Sequence, residues 1–393
     1  MDKRKEIIEY ALIIALYYVT GGAFSYKNYS AQIIVFFCIG AVLCYLYGNK
    51  HYLLLKRVFT PWMLMSLFVF FVPLINDDTI TTYIAIIMQL TIGLFCATII
   101  KPDKFREKYT NIITIFAAIS LIFFSIGMIA PSFSQHFPII DGEASVDYYN
   151  AFVYVFMKAK GYSSLVLMNR NPGICWEPGC YQMFLNVGLL FLLEQEKKIH
   201  QSFFLQKMTI LMVTIITTMS LTGILLLIVT LVTNGKVILN YNKKILLYIP
   251  VIIGIVGVVI MRFSIDSFVI NKIAYSLGEG NALIDRLSLD RLKYIFSDVG
   301  IPYFLGMSFE KWAAKGITLW NSIIQSFLCL GTPFTLINLL GYLKGAKVLV
   351  KNNILLFIIM IVSASTETLF WRVFYVTFTF YGWIYNGLYY ENN

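Results

Sequence analysis

One apolar run, QKMTILMVTIITTMSLTGILLLIVTLVTN from Gln206 to Asn234, decides how the chain is laid out. As a single helix its roughly 29 residues would extend about 43 Å, well past the ~30 Å hydrocarbon core of a bilayer. We therefore divide it at Ser220-Leu221-Thr222-Gly223 into spans of about 205–219 and 221–235. The apolar stretch 354–389 is divided in the same way at Ser363–Glu367. If either pair were one long helix, the topology after it would invert.

Working outward, 59% of residues are hydrophobic and only 13% charged, too apolar for a soluble protein of this size. Hydrophobic runs of about 17–25 residues recur from end to end, the length a membrane-crossing helix needs, and the alternating pattern of a barrel does not appear. The fold expected is an all-α integral membrane protein of about 12 transmembrane helices, with residues 1–393 as a single polytopic domain. The spans are expected near 6–24, 30–48, 58–75, 79–99, 109–130, 178–194, 205–219, 221–235, 245–263, 317–341, 354–366 and 373–389. The first run follows Met1-Asp2-Lys3-Arg4-Lys5, but Gly21-Gly22-Ala23 is a poor cleavage site, so it is read as a retained helix.

A formal charge of +10 invites a nucleic-acid reading, yet the basic residues are dispersed among short loops, which excludes it as the main explanation. With both termini in the cytoplasm, 19 of the 31 Lys and Arg residues fall in inner segments, at least three to each. The short outer loops carry almost none, so the positive-inside rule is satisfied. Two outer loops are long, about 131–177 and 264–316, and long loops commonly carry function. In the first, Tyr148 to Lys160 reads as a short aromatic amphipathic piece at the membrane interface. In the second, Ile284, Leu287, Leu292 and Ile295 recur at roughly helical spacing. Arg286, Asp290 and Lys293 lie opposite them, and Arg291 falls on the apolar side.

The sequence Asn169-Arg170-Asn171-Pro172-Gly173-Ile174-Cys175-Trp176-Glu177-Pro178-Gly179-Cys180-Tyr181-Gln182 closes the first loop. Its Pro-Gly pairs force turns, so it reads as a shaped loop entering the sixth span. Arg170 can bind a phosphate and Glu177 can accept a proton; alternatively the two form an ion pair that pins the loop. Arg291 should face an anion, whereas Arg286 can pair with Asp290 four residues on. Glu367 and Arg372 either line a cavity or snorkel to the interface beside Trp371. Cys175 and Cys180 are expected as buried free thiols rather than a disulfide, and Asp77-Asp78 as a helix-end cap rather than a metal site. His51, His136 and His200 receive no role, and no Cys/His cluster at metal-ligand spacing occurs.

The motif Arg170 to Gly179 leading into Tyr181-Gln182-Met183-Phe184-Leu185-Asn186 resembles the O-antigen and capsular polysaccharide repeat-unit polymerases, the Wzy family, and more distantly the O-antigen ligases. Ser220-Leu221-Thr222-Gly223, Arg291 followed by Ile301 to Gly306, and Asn321-Ser322 with Gly331 ten residues after Asn321 carry the rest of the likeness. The resemblance implies a glycosyltransferase at the outer face of the bacterial inner membrane, using undecaprenyl-diphosphate-linked glycan as donor and acceptor. It implies no metal, nucleotide sugar or other cofactor. The partners it suggests are membrane lipids and a protein that regulates chain length. On this reading Arg170 and Arg291, with Arg286 or Arg372, would steady the diphosphate leaving group, and Glu177 would be the base, with Glu310 or Asp285 in reserve. Asn169 and Asn321 would contact substrate, and Trp176, Trp312 and Trp320 would stack on sugars.

The chain departs from the family in two places: Leu221 follows Ser220 where an arginine is usual, and Trp320 precedes Asn321 where a histidine is usual. The usual histidine base is therefore absent, and the weight falls on Glu177. A flippase for lipid-linked oligosaccharides, or another polytopic transporter, is the main rival. Charges in two long outer loops rather than within the helices favour the enzyme. The ligase subtype is the second rival.

Overall fold

In a computed structural model, the structure describes residues 3–23, 25–48, 52–142, 146–160, 167–195, 199–236, 238, 302–314 and 321–386. Helices α1 (Lys3–Gly21), α2 (Ser25–Tyr47), α3 (Tyr52–Asn76), α4 (Ile80–Ile99) and α5 (Pro102–Ile129) open the chain. A three-stranded sheet follows, and then α6 (Pro178–Glu194), α7 (Gln201–Thr217) and α8 (Leu221–Thr233). After two short helical turns, Pro302–Leu305 and Phe309–Ala314, come α9 (Ser322–Leu330), α10 (Thr332–Leu349), α11 (Asn353–Thr366) and α12 (Val373–Tyr385). Among the described residues, four segments are long and apolar enough to cross a membrane: Ser30–Tyr47, Val58–Asn76, Ile80–Ile99 and Pro102–Ile129. Their exposed residues are large and apolar, for example Ile34, Val35, Phe70 and Ile122, as a hydrocarbon surround requires. The chain is a membrane protein built mainly of helices.

Both divided runs are two helices. α7 ends at Thr217 and the Ser220 side chain caps α8, accepting from Gly223 N at 3.4 Å. Between α11 and α12 the chain turns around Ser322, whose Oγ accepts from Leu369 N and Phe370 N, each at 3.2 Å.

Two expectations change. The piece expected from Tyr148 to Lys160 belongs to a hairpin: β2 (Val146–Asn150) and β3 (Val155–Ala159) pair antiparallel, with β1 (Ile139–Asp141) on the other side of β2. Aromatic and β-branched residues in short runs flank a turn at 151–154, and strand pairing satisfies backbone groups that a flat loop would leave open. Among the described residues this small sheet sits within a fold that is otherwise helical. The single span expected at 317–341 is broken at Gly331, which holds φ +89° between α9 and α10. A Cβ at Gly331 would stand 2.6 Å from Phe304 O, and one at Gly306, also at φ +89°, would stand 2.5 Å from Cys329 O. The two backbones touch where only glycine fits. The span expected at 245–263 and most of the loop 264–316 lie outside the described residues.

The chain forms two compact units. The first holds α1 to α4, α9 to α12 and the turns at 302–314. Its core is helix against helix at backbone distance. Gly345 and Gly382 bring α10 and α12 together, because a Cβ on either would overlap the opposing carbonyl of Phe378 or Gly341. Gly93 of α4 meets Thr377 N of α12 in the same way, at 3.0 Å. Small residues at helix crossings are the means of packing in lipid, where apolar burial gives little drive. Tyr381 then donates to Ile100 O at 2.9 Å and Asn338 Nδ2 to Phe370 O at 3.0 Å, tying the ends of the helices into that core.

The second unit holds the junction of α1 and α2 from Gly21 to Lys27, α5 from Arg106 onward, the sheet, the loop 167–177 and α6 to α8. Here α6 is buried along nearly its whole length. Tyr109 of α5 donates to Phe184 O at 2.9 Å and packs edge-on against Phe191.

Candidate functional site

The loop before α6 is held by its own polar side chains. Asn171 is fully buried: its Nδ2 donates to Ser120 Oγ of α5 at 3.2 Å and to Thr217 Oγ1 of α7 at 3.0 Å. Its Oδ1 accepts from Gly173 N at 3.0 Å, and its backbone N–H donates to Thr217 O at 2.9 Å. Tyr181, in the first turn of α6, donates to the same Ser120 Oγ at 3.0 Å. One amide thereby joins three chain segments. Gly173 at φ +58° lies against the Tyr181 ring, where a Cβ would come within 2.6 Å. This Pro-Gly turn needs glycine for both backbone shape and space.

The other side of the loop is strapped to the sheet and to the end of α1. Val155 N donates to Gly173 O at 2.8 Å and Met168 N to Met157 O at 2.8 Å, extending β3 by one irregular strand. Ala23 N donates to Ile174 O at 2.8 Å, Trp176 N to Gly21 O at 3.1 Å and Tyr148 Oη to Trp176 O at 2.7 Å. Cys175 and Cys180 are buried beside Gly21 and form no disulfide.

This frame sets the two charges of the motif. Arg170 is half-buried, and its Nε donates to Thr218 O at 3.2 Å, which fixes the plane of the guanidinium at the end of α7. Glu177 is the N-cap residue of α6, with Pro178 as the first helical residue, but its carboxylate does not cap the helix. It has no hydrogen-bond or ion-pair partner among the described residues, so the ion pair with Arg170 considered above is not what pins the loop. Asn169 is exposed beside Arg170. The Trp176 ring is half-buried against Tyr148, Val155 and Met157, so one part of it serves packing. Arg170 also closes a cleft between Phe124 and Met128 of α5 and Phe156 of β3. With about 10 Å³ of interior it admits one water rather than a sugar ring.

The remaining candidates are dispersed. Arg286, Arg291, Asp285 and Trp320 lie outside the described residues. In the first unit, Asn321 caps α9, its Oδ1 accepting from Ile323 N and Ile324 N at 3.1 Å each, which accounts for it structurally. Trp312 is buried with Met307, Leu328 and Cys329 and is core rather than a sugar platform. Arg372 is the N-cap of α12, with Nε donating to Thr368 O at 3.4 Å, and Glu367 is buried at the end of α11.

Glu310 is exposed and accepts from Thr79 Oγ1, beside Asp78. Asp78 accepts from Thr79 N at 2.7 Å and from Tyr83 Oη at 2.6 Å; it precedes Thr79, the N-cap of α4, and bonds none of the helix's first-turn N–H groups. Burial pushes its carboxyl up, but hydrogen bonds from Tyr83, Glu310 and Ser308 outweigh this and hold it below the usual carboxylate range.

Sequence reasoning overlooked Asn171, Ser120, Tyr181 and Thr217 as a unit. Asn171 stood inside the quoted motif, and an Asn before Pro-Gly was the available signal. Ser120 and Thr217 carried none, since lone hydroxyls in apolar helices are common. Among the described residues no group of His, Cys, Asp and Glu is placed to hold a metal ion. No protein-family model matches the chain, and no similar protein is found among curated proteins or solved structures.

Proposed function

We propose that the chain is a membrane glycosyltransferase that polymerises undecaprenyl-diphosphate-linked repeat units at the outer face of the bacterial inner membrane. The observation that supports this most is the division of labour in the loop 167–177. Asn171, Tyr181 and the strap to β3 hold its shape, while the Glu177 carboxylate takes no part in capping α6 and Arg170 Nε is set against Thr218 O. A carboxylate that is not needed to build a rigid loop at a membrane boundary is a group expected to meet a ligand.

In the reaction, the hydroxyl of the acceptor repeat unit attacks the anomeric carbon of the donor glycan. The bond from that carbon to the diphosphate oxygen breaks as the new glycosidic bond forms. Glu177 accepts the hydroxyl proton, and Arg170, with Arg291 from the second long loop, compensates the charge that develops on the departing lipid diphosphate. Arg286 and Arg372 are further candidates for the diphosphate, and Asn169 for a sugar hydroxyl.

In cells that depend on this chain for their surface glycan, Arg170→Ala and Glu177→Gln should leave the protein folded in the membrane. Both should reduce the glycan to one repeat unit per acceptor. Wild-type chain lengths from both variants would overturn the assignment. A second reading, a flippase for the lipid-linked unit, draws on the helix broken at Gly331, since discontinuous helices commonly frame transporter sites. It predicts total loss of surface glycan with lipid-linked units trapped on the inner face.

A further inference from the structure

The tip of the β2–β3 hairpin, Asn150-Ala151-Phe152-Val153-Tyr154, presents an aromatic side chain in a conformation aromatic residues avoid. Phe152 has φ +62° and is 63% exposed. The turn enforces this: Asn150 Oδ1 accepts from Phe152 N at 2.9 Å, and Ala151 N donates to Tyr154 O at 2.9 Å. Polarity is graded along the hairpin. Its root carries Lys158, Asp147 and Lys160, the last two paired at 3.4 Å, whereas residues 149–154 carry no charge.

The depth of the tip follows from what it packs on. Tyr154 stacks on Phe123 of α5, with centroids 5.6 Å apart and planes at 20°. Phe123 lies six residues, about 9 Å, before the end of that helix. Phe156 covers Gly127, where a Cβ would come within 2.9 Å of its ring. After Lys108, α5 has no charged residue, and Ile115, Ile122 and Ile129 recur every seven residues on one face, 60%, 60% and 85% exposed. On a helix that crosses a membrane, such a stripe faces lipid. The tip thus comes down beside the outer part of an apolar, membrane-crossing helix instead of standing clear of its end.

We infer that the β2–β3 hairpin dips into the membrane boundary beside α5 and that Phe152 enters the bilayer as a lipid anchor. The occupant is lipid rather than a second copy of this chain, because the hairpin packs on the same uncharged half of α5 that carries the exposed isoleucines. Through Val155 N to Gly173 O and Met168 N to Met157 O, the anchored strand also sets the height of the loop that carries Arg170. This holds whatever reaction the loop performs.

The test places a photo-crosslinking phenylalanine analogue at position 152, and separately at 158, in the full chain reconstituted in phosphatidylcholine vesicles. Mass spectrometry then identifies the adducts. Lipid adducts should be several-fold more abundant at 152 than at 158. Equal yields at the two positions would overturn the inference, as would an adduct at 152 made chiefly to a second copy of the chain.

Discussion

The crossing of α10 and α12 and the loop 167–177 are both rigid, and they reach rigidity by opposite means. At the crossing, atoms are missing: Gly341, Gly345 and Gly382 let two backbones meet, and dispersion between closely packed helices does the rest. In the loop, atoms are added: one buried amide and two hydroxyls satisfy the backbone of a chain that is neither helix nor strand. The first kind of site tolerates no enlargement. The second tolerates no loss.

The sharpest break of that contrast is Gly345→Leu. The new side chain must displace the Phe378 carbonyl, and destabilisation at or above the ~3 kcal/mol limit of ordinary overpacking is expected. It should appear as loss of the folded fraction in detergent-solubilised thermal melts. A normal melt would mean that the helices separate more easily than the packing implies. Asn171→Leu comes next. It removes three side-chain hydrogen bonds and strands buried partners on Ser120, Thr217 and Gly173, at a cost of about 2–3 kcal/mol. Hydrogen exchange should quicken in 167–177 while the α10–α12 crossing stays protected. Glycan elongation should fall as far as in Arg170→Ala.

Tyr181→Phe deletes a single hydrogen bond to Ser120, about 1 kcal/mol, and should loosen the same loop without abolishing elongation. The smallest effect concerns acid. Because the folded Asp78 carboxyl titrates below an unfolded one, its contribution is complete at neutral pH. It is lost as pH falls below the ordinary ~3.9 towards the folded-state value. Exchange protection of Phe309 N and Glu310 N, which donate to Tyr83 Oη and Asp78 Oδ2, should decline over that window. Asp78→Asn should remove the pH dependence.

The contrast also explains what was legible in the sequence. Helices that satisfy their own backbones announce themselves by length and hydropathy: α6 runs from Pro178 to Glu194 as expected, the division at Ser220 falls between α7 and α8, and that at Ser363–Glu367 covers the last turn of α11 and its C-cap, a few residues before the actual gap. The break at Gly331 escaped because apolar residues continue on both sides and only the backbone clash with Phe304 and Leu305 shows why the helix must stop. The sheet escaped because its strands are five residues or fewer, with aromatics that suit an interfacial helix equally well. In the loop, Arg170 and Glu177 stood out as charges against an apolar background. Asn171 did not, since nothing local reveals that an amide is aimed at a serine about fifty residues earlier and a threonine about forty-six residues later.

The contact between Gly306 and Gly331 has a genetic consequence. At most positions a harmful substitution can be rescued by trimming the side chain it strikes. Here each glycine is opposed by main chain, Cys329 O and Gly331 N on one side, Phe304 O and Leu305 C on the other, and main chain cannot be trimmed. A selection for suppressors of Gly306→Ala should therefore return no change of residue type at 329 or 331. Survivors should instead be true revertants, or chains in which an insertion or deletion near 302–308 has moved one backbone away from the other.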